Sequence, residues 1–421
     1  MQKAYRNTMF ACYNGFVTQA IINNLAPLLF VIFQEQFNIS LEKISFLILL
    51  NFSVQLLVDG LCIKFADRIG YRPLIVAAHI LCALGLVFLS VLPFALGYAG
   101  LLIAVVTYAA GGGIIEVLVS PIADAIPKAN NPASMSLLHS FYCWGHVAVV
   151  ILTTVALRFI GSNAWPVLPV LWAIIPVANA FRFGKVPIIM PTVEKRVSIR
   201  SLLSNQYFLL AILLMIASGA SEQAMSQWAS FFAEKGLYVS KMAGDLLGPC
   251  LFAVLMGAGR VLFGTYGKKM KETKALSFCA VLCVLCYLIT SLSTDPPLAL
   301  VGCAVTGFSI SLMWPGMISF SAHRFEGGGT AMFSLLALGG DIGCAIGPWM
   351  TGIVSAVAQK SERIVAIGAE KGLDAMQTGL KTGLLMAIVF PVLFIVGMVL
   401  FSRRETKKIG PPRGSASGAA K

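Results

Sequence analysis

The chain has 421 residues, of which 58% are hydrophobic and only 12% are charged. A soluble domain carries about 25% charged residues, so this composition excludes an ordinary soluble protein and indicates an integral membrane protein. The net charge is +13, but the basic residues lie between apolar runs and form no stripe, which argues against nucleic acid as a partner.

Apolar runs of about 20 residues, the length that crosses a bilayer, recur along the whole chain. In the first half they lie at 9–33, 41–63, 73–94, 98–122, 134–160 and 165–183. In the second half they lie at 207–233, 240–266, 274–293, 297–322, 329–357 and 377–401. The sequence therefore predicts an all-α membrane protein with twelve transmembrane helices. Its predicted units are a first six-helix bundle at 1–183, a cytoplasmic loop at 184–205, a second bundle at 206–402 and a disordered tail at 403–421.

The distribution of Lys and Arg predicts the orientation of the chain in a cell membrane. Twelve spans place both termini on the same side of the bilayer, and the basic residues concentrate in the segments that share that side. Cytoplasmic loops carry such an excess of Lys and Arg. We therefore expect both termini to be cytoplasmic and the lipid bilayer to be the surroundings of the helices.

The two halves resemble one another weakly. The fourth run contains "GGGIIEVLVSP" and the tenth "GFSISLMWP", while "CWGHVA" and "LGGDIG" occupy similar places in the fifth and eleventh. Two pseudo-symmetric six-helix bundles are typical of secondary transporters. Chance similarity among Gly-rich apolar helices is the alternative.

Charged residues inside the apolar runs are the first candidates for a functional site, because each costs about 2.5–3.5 kcal/mol on insertion scales. They are Asp59, Glu116, Glu222, Arg260 and Asp341. Glu116 lies near the middle of the fourth run, where desolvation disfavours its charged form. A carboxyl group there can take up a proton from one side of the membrane and release it to the other side, or it can bind a hydroxylated substrate. The alternative is a neutral acid that hydrogen-bonds two helices.

Amide and aromatic side chains are the second group of candidates. Gln223 and Gln227 accompany Glu222 in the seventh run, which favours a wet cavity. The first run contains Gln19, Asn23 and Asn24. Amides donate and accept hydrogen bonds, which suits sugars and other polyols, although they also pack helices together. Trp228 and Trp314 can pack against the C–H faces of a sugar, or can lie at the membrane interface as Trp commonly does.

No catalytic constellation or phosphate-binding loop is present, so the sequence predicts neither an enzyme nor direct use of ATP. Cys283 and Cys286 have C-x-x-C spacing, and His139 and His146 share a helix face. A zinc site needs further ligands, which neither pair has nearby. We predict no metal and no cofactor. His146 occupies the place that Asp341 has in the other half, so it is a candidate proton relay, with a structural histidine as the alternative.

The loop "FADRIGYRP" at 65–73 resembles the loop between the second and third helices of the major facilitator superfamily. Asp67, Arg68, Gly70 and Arg72 match that pattern, and Tyr71 departs from it. The resemblance implies that these four matching residues form a latch on the cytoplasmic gate. The equivalent loop of the second half, at 259–271, carries Lys268 where the pattern has Asp.

Four stretches resemble the branch that contains the fucose permease, the glucose/galactose porter and the sodium-dependent glucose transporters. They are "GGGIIEVLVSPIADAI", "SLLHSFYCWGHV", "GASEQAMSQWASFF" and "GFSISLMWPGMISFS". The resemblance implies that Glu116 handles sugar and proton. Asn24 stands where the fucose permease has an aspartate, and Asp341 can supply the missing acid.

The sequence predicts a major facilitator transporter that works as a monomer and imports a monosaccharide or related small polar metabolite by proton symport. Glu116, Glu222, Asp341 and His146 are the predicted coupling residues. Sodium coupling, a proton-antiporting exporter of drugs or metabolites, and a non-transporting sensor are the alternatives.

Overall fold

The computed structural model describes residues 3–126, 132–189, 199–266, 271–325 and 329–408. Within these ranges, twelve helical segments are long and apolar enough to cross a membrane, which confirms the predicted number. The first six are α1 (Lys3–Phe37), α2 (Leu41–Ile69), α3 (Tyr71–Leu96), α4 (Tyr98–Asp124), α5 (Pro132–Ile160) and α6 (Val167–Lys185).

The second six include four composite helices. They are α7 (Gln206–Phe231 with a π turn at Phe232–Gly236), α8 (Lys241–Asp245, a π turn at Leu246–Cys250, and Leu251–Tyr266), α9 (Glu272–Leu292), α10 (Pro296–Ile310 and Met313–Arg324), α11 (Gly329–Lys360) and α12 (Ala375–Met386 and Val389–Lys408). Short helices also lie at Ser162–Ala164, Ile199–Leu203 and Glu362–Ala369.

The α10 helix is interrupted at Ser311 and Leu312, where the sequence predicts one continuous helix over 297–322. Pro315 explains the difference. It has no N–H to donate to the carbonyl of Ser311, four residues earlier, and its ring crowds that carbonyl. The break lies beside Trp314, so it helps to set the direction of that side chain.

Helices α1–α6 pack mainly with one another, and so do α7–α12. In the first half α3 packs against α4 and α6, and α1 packs against α5; in the second half α7 packs against α11, and α9 against α10. Contacts between the halves run through α2–α11, α5–α8 and α1–α7. This arrangement leaves room between the halves for a central cavity.

The two ends of the bundle differ. We call the end that holds the start of α1 and the end of α12 the terminal face, and the other end the opposite face. At the opposite face, three polar pairs join the halves: Lys235–Glu35 at 2.5 Å, Lys360–Glu42 at 2.6 Å and Thr154–Asp245 at 2.8 Å. The Phe30 ring also packs against the Trp228 ring, with centroids 6.3 Å apart. The halves are therefore in contact across the opposite face.

The unit boundaries stay predictions. The last helix continues through Lys408, six residues into the segment predicted as tail. The rest of that tail, 409–421, and residues 190–198 of the central loop lie outside the described residues.

Candidate functional site

A cavity of about 1010 Å³ lies between the two halves. Its lining runs from Gln19 and Glu116 in the middle of the bundle to Glu272 and His323 at the terminal face. The side chains of Glu272 and His323 are 37% and 70% exposed. Because the opposite face is closed by contacts between the halves, the cavity is open to the terminal face.

Four hydrogen-bonded amide side chains of α1 and α2 lie at the centre of the site, and we call them the amide cluster: Gln19, Asn23, Asn51 and Gln55. Gln19, Asn23 and Gln55 line the cavity, and Asn51 joins them through its hydrogen bond to Asn23. Gln19 Nε2 lies 2.8 Å from Gln55 Oε1 and 2.9 Å from Glu116 Oε2, and donates to both. Asn23 Oδ1 accepts from Gln55 at 2.9 Å and from Asn51 at 3.2 Å. The cluster thus holds the α4 carboxyl in a fixed position.

The Gly-rich stretch of α4 explains how Glu116 reaches the amide cluster. A Cβ atom at Gly112 would lie 2.3 Å from the Ile22 side chain, and one at Gly113 would lie 2.8 Å from the Gln55 carbonyl. Real Cβ atoms do not approach other atoms so closely. The glycines therefore allow α4 to pack directly on α1 and α2, as small residues do in membrane helices.

The hydrogen bonds continue into the second half. Gln227 Nε2 donates to the Asn23 carbonyl at 3.1 Å and to Gln223 Oε1 at 3.0 Å. Gln223 Nε2 in turn lies 3.3 Å from Glu222 Oε1. An unbroken chain of amides therefore links Glu116 of the first half to Glu222 of the second. Any movement of one half against the other must break it.

Each half contributes a second buried carboxyl group, Asp59 on α2 and Asp341 on α11, and these two groups lie close together. Asp59 and Asp341 are 4% and 9% exposed, and each lies near enough to the other to influence its ionisation; Asp59 Oδ1 is buried and has no hydrogen-bond partner among the described residues. Asp59 and Asp341 both also interact electrostatically with Glu116. A hydrogen bond between two carboxyl groups needs a proton on one of them. Two ionised carboxylates about 4 Å apart in a protein repel one another by roughly 4 kcal/mol at an effective dielectric constant near 20.

The structure brings most of the predicted site residues into the cavity wall. They are Gln19, Asn23, Glu116, Glu222, Gln223, Trp314 and Asp341. The indole of Trp314 lies against the backbone of α11 because Gly340 has no side chain; a Cβ there would be 2.1 Å from the ring. Gln227 joins the site through its hydrogen bonds.

Besides Gln227, three predicted residues do not line the cavity: Asn24, Trp228 and His146. Asn24 donates to the Ala20 carbonyl, and Trp228 Nε1 donates to the Pro348 carbonyl at 2.8 Å within the closed side of the bundle. Neighbouring helix residues point about 100° apart. Asn24 and Trp228 each follow a residue of the amide chain directly, so their side chains point elsewhere. His146 is buried, 2% exposed, among packed helices.

The predicted latch stays a prediction, since the structure describes its residues only in part. The side chain of Asp67 lies outside the described residues, Arg68 is exposed, and Gly70 has a φ of +94° between α2 and α3. Arg72 donates to the carbonyls of Phe183, Gly184 and Val186 at 2.7–3.0 Å. It therefore caps the carboxyl end of α6 within its own half, where basic groups satisfy unpaired carbonyls.

Sequence reasoning missed part of the site. Asn51 and Gln55 were missed, although together with Asp59, already a candidate because of its charge, they follow one another at four-residue spacing along one face of α2, a signal that was visible in the sequence. Asp245 was missed as well. It is 1% exposed and accepts from Thr154 and from Ser230, at 2.8 and 2.5 Å. It lies near the start of the eighth run, where an acidic residue is ordinary.

In the described part of the chain, no group of three or more His, Cys, Asp and Glu side chains is placed to hold a metal ion. The site is instead built from amides, carboxyls and Arg260 on the cavity wall.

Comparison with known proteins agrees with this architecture. A profile of the Major Facilitator Superfamily matches residues 11–348. No curated protein sequence gave a significant match. Among solved structures, a bacterial homologue of the human lysosomal transporter Spinster, in an inward-facing and occupied conformation, is similar with a TM-score of 0.78. Its identity is 16%, over 98% of this chain and 100% of that chain.

Two further solved structures share the fold. The Escherichia coli fucose:proton symporter has a TM-score of 0.61 and 15% identity, covering 93% of this chain and 98% of its own. A D-xylose–proton symporter has a TM-score of 0.70 and 13% identity, covering 94% and 98%. The chain is therefore a multi-pass secondary transporter, not an enzyme, and belongs to the major facilitator superfamily.

Proposed function

We propose that the chain imports a monosaccharide or a related small polar metabolite by proton-coupled symport. The observation that carries the proposal is the 2.9 Å hydrogen bond between Gln19 and Glu116 inside the cavity. It joins the buried acid of α4 to an amide cluster suited to binding hydroxyl groups. Substrate and proton would then bind at neighbouring positions, so that each influences the other.

Rocking of the halves would carry this site from one side of the membrane to the other. The amide chain from Glu116 to Glu222 crosses between the halves through Gln227 and Asn23, so it must open when they move. A bound polyol can replace the lost hydrogen bonds. The substrate then binds one conformational state more tightly than the other. Only such a difference in affinity lets a substrate shift the equilibrium between the two states.

Two of the similar folds support the substrate class. One is described as a fucose:proton symporter and the other as a D-xylose–proton symporter. At 15% and 13% identity they support a shared architecture, and the choice of a sugar for this chain rests on the amide cluster.

The orientation of the chain is also part of the proposal. Lys and Arg are concentrated on the side of the termini, as in cytoplasmic loops. The terminal face would then be cytoplasmic, and the cavity would face the cytoplasm in this state, ready to release substrate and proton.

A proton-antiporting exporter is the second candidate. Its support is the apolar mouth of the cavity, which Phe263, Leu276, Leu312 and Ile318 line. Such a mouth suits amphiphilic compounds better than sugars. Resistance of cells to toxic amphiphiles, with and without expression of the chain, separates this alternative from sugar import.

Proteoliposomes with an internal pH-sensitive dye test the proposal. We expect one or a few monosaccharides of a panel to acidify the interior without a sodium gradient, because the sugar and the proton enter together. Acidification by no sugar, together with no uptake of labelled sugar when sodium is supplied, would contradict the proposal. Sugar uptake that needs sodium and leaves the internal pH unchanged would mean that sodium, and not the proton, is the coupling ion.

The Asp59–Asp341 pair gives a prediction that needs no substrate. The groups around it are Glu116, Cys62 and Cys344, so ionisation of both groups leaves repulsion between the halves. The pair lies nearer the terminal than the opposite ends of α2 and α11, so this repulsion hinders closure of the terminal face, and we expect the opposite face to separate less often as pH rises in the wild type. In Asp341→Asn the amide donates to Asp59 at every pH, and the pH effect should fall at least fivefold.

Spin labels at Ser40 and Glu362, which are exposed on the two halves at the opposite face, measure that separation. All ten native cysteines are buried, so labels at introduced cysteines should be specific. A pH response of equal size in both proteins would show that the pair plays no part in the movement.

A further inference from the structure

Arg260 on α8 lines the cavity beside Glu222, and its side chain is 21% exposed. Its contacts within the chain are weak. Nη1 donates to Cys143 Sγ at 3.3 Å, and Nη2 donates to Met256 Sδ at 3.6 Å. Nη2 is 4.0 Å from the nearest Glu222 oxygen. Nε is buried and has no hydrogen-bond partner.

These contacts do not satisfy a guanidinium. Thiol and thioether sulfurs are weak acceptors. An Arg that serves a structural ion pair binds its carboxylate at about 2.7–2.9 Å, often through two parallel hydrogen bonds. Glu222 is more than 1 Å too far away for such a pair. The donors of Arg260 therefore lack a strong acceptor within the described part of the chain, and the side chain forms part of the cavity wall.

We propose that Arg260 binds an anionic group of the transported metabolite, and that the substrate is a carboxylated polyol such as a sugar acid. This inference rests on the proposed function, because it takes the polyol part of the substrate from the amide cluster. A carboxylate matches the planar fork of the guanidinium. The same molecule can then place its hydroxyl groups on the amides of α1 and its acid group on α8, one on each half.

Glu222 ties the binding of this anion to a proton. A carboxylate on Arg260 would lie next to Glu222, so its binding is favoured when Glu222 carries a proton. The other titratable groups that face this corner are His139, Tyr142 and Cys143 on α5, Glu116 on α4 and Cys344 on α11. The anion and the proton enter together as a neutral pair. Binding of the anion should therefore weaken as pH rises.

Binding to the purified full chain tests the inference with matched probes. D-glucuronate and D-galacturonate are compared with D-glucose and D-galactose by calorimetry. We expect the uronates to bind at least about tenfold more tightly than the neutral sugars, as a charge-assisted hydrogen bond implies. Arg260→Gln should remove that advantage and change the neutral-sugar affinity by less than about twofold.

Three variants complete the experiment. Arg363→Gln removes a positive charge from an exposed position at the opposite face and should leave every affinity unchanged. Arg260→Lys keeps the positive charge but lacks the planar guanidinium, so its preference for uronates over neutral sugars should be intermediate. This variant still tests the inference if the glutamine variant does not fold. Glu222→Gln should reduce the pH dependence of uronate affinity to that of the neutral sugars, which Glu116 still causes.

The outcomes separate this inference from the proposed function. Uronates that bind no better than neutral sugars, or that bind equally well to Arg260→Gln, would overturn the inference. Neutral sugars that still drive proton uptake would then leave the proposed function standing. Uronate binding that depends on Arg260, without any flux in liposomes, would support the inference and contradict the proposed function.

Discussion

Replacement of Glu116 by glutamine is expected to abolish proton-coupled uptake while substrate binding persists. The amide keeps an oxygen that can accept the 2.9 Å hydrogen bond from Gln19, so the amide cluster should stay in place. It cannot take up a proton, however, and the coupled step is lost. We expect substrate-driven acidification of proteoliposomes to fall roughly 100-fold or more, the range found when a positioned proton-transfer group is removed.

Counterflow of labelled substrate between equal concentrations, which requires no net proton movement, should continue in Glu116→Gln within about threefold. Glu370→Gln, at an exposed position of the opposite face, is the matched control and should acidify like the wild type. If Glu116→Gln acidified at the wild-type rate, the proton would have to be carried by another group, and Glu222 or the Asp59–Asp341 pair would be next. Loss of counterflow as well would assign Glu116 to substrate binding.

Replacement of Gly352 by leucine is expected to trap the carrier with its opposite face open. Gly352 on α11 lies against Ser45 on α2, where a Cβ would be 1.8 Å from Ser45 Oγ and 2.4 Å from the Trp228 ring. A leucine cannot fit while the halves are in contact. Overpacking of this kind costs about 1–3 kcal/mol. Separation of the halves relieves the clash with Ser45, whereas the Trp228 ring lies in the same half as Gly352 and must shift within that half in either state. The closed opposite face should therefore become roughly 10- to 100-fold rarer.

Distances between spin labels at Ser40 and Glu362 would show the loss of the closed opposite face as a shift to longer distances. The transport rate should fall in proportion to the population of the closed state. Gly60→Leu is the control, because a Cβ at Gly60 meets nothing within 4 Å, and it should leave the distance distribution unchanged. The elution volume and thermal stability of the purified variant show whether it folds. A folded Gly352→Leu protein with wild-type distances would mean that the α2–α11 contact does not close this face.

The number and order of the helices could be predicted from the sequence because a bilayer demands about 20 apolar residues per span. The same requirement made Glu116, Glu222 and Asp341 stand out, since charge within an apolar run is costly. Ser311 shows where such reasoning fails in detail. The apolar run continues through Ser311, but Pro315 breaks the helix there, one turn before the proline, because it cannot donate to the Ser311 carbonyl. The hydrophobicity of a run carries no information about such backbone hydrogen bonds.

The amide cluster shows the limit more clearly. Gln19 and Asn23 were predicted from α1, but their partners Asn51 and Gln55 lie on another helix, and nothing in the sequence states which helix faces of α1, α2 and α4 meet. Trp228 was predicted for the pocket and lies on the closed side, because one residue along a helix rotates the side chain by about 100°. Arg72, a predicted latch residue, caps α6 in this structure.

The sequence by itself determined that this chain is a twelve-span membrane protein and which buried charges it carries, because transfer of each segment into lipid depends on its own composition. Only the tertiary structure decided which of those charges meet. Three features depend on how distant helices pack: the contact of Asp59 with Asp341, the chain of amides from Glu116 to Glu222, and the weakly satisfied donors of Arg260. Packing between helices in lipid rests on shape and on a few hydrogen bonds, and these arise only when both partners are in place.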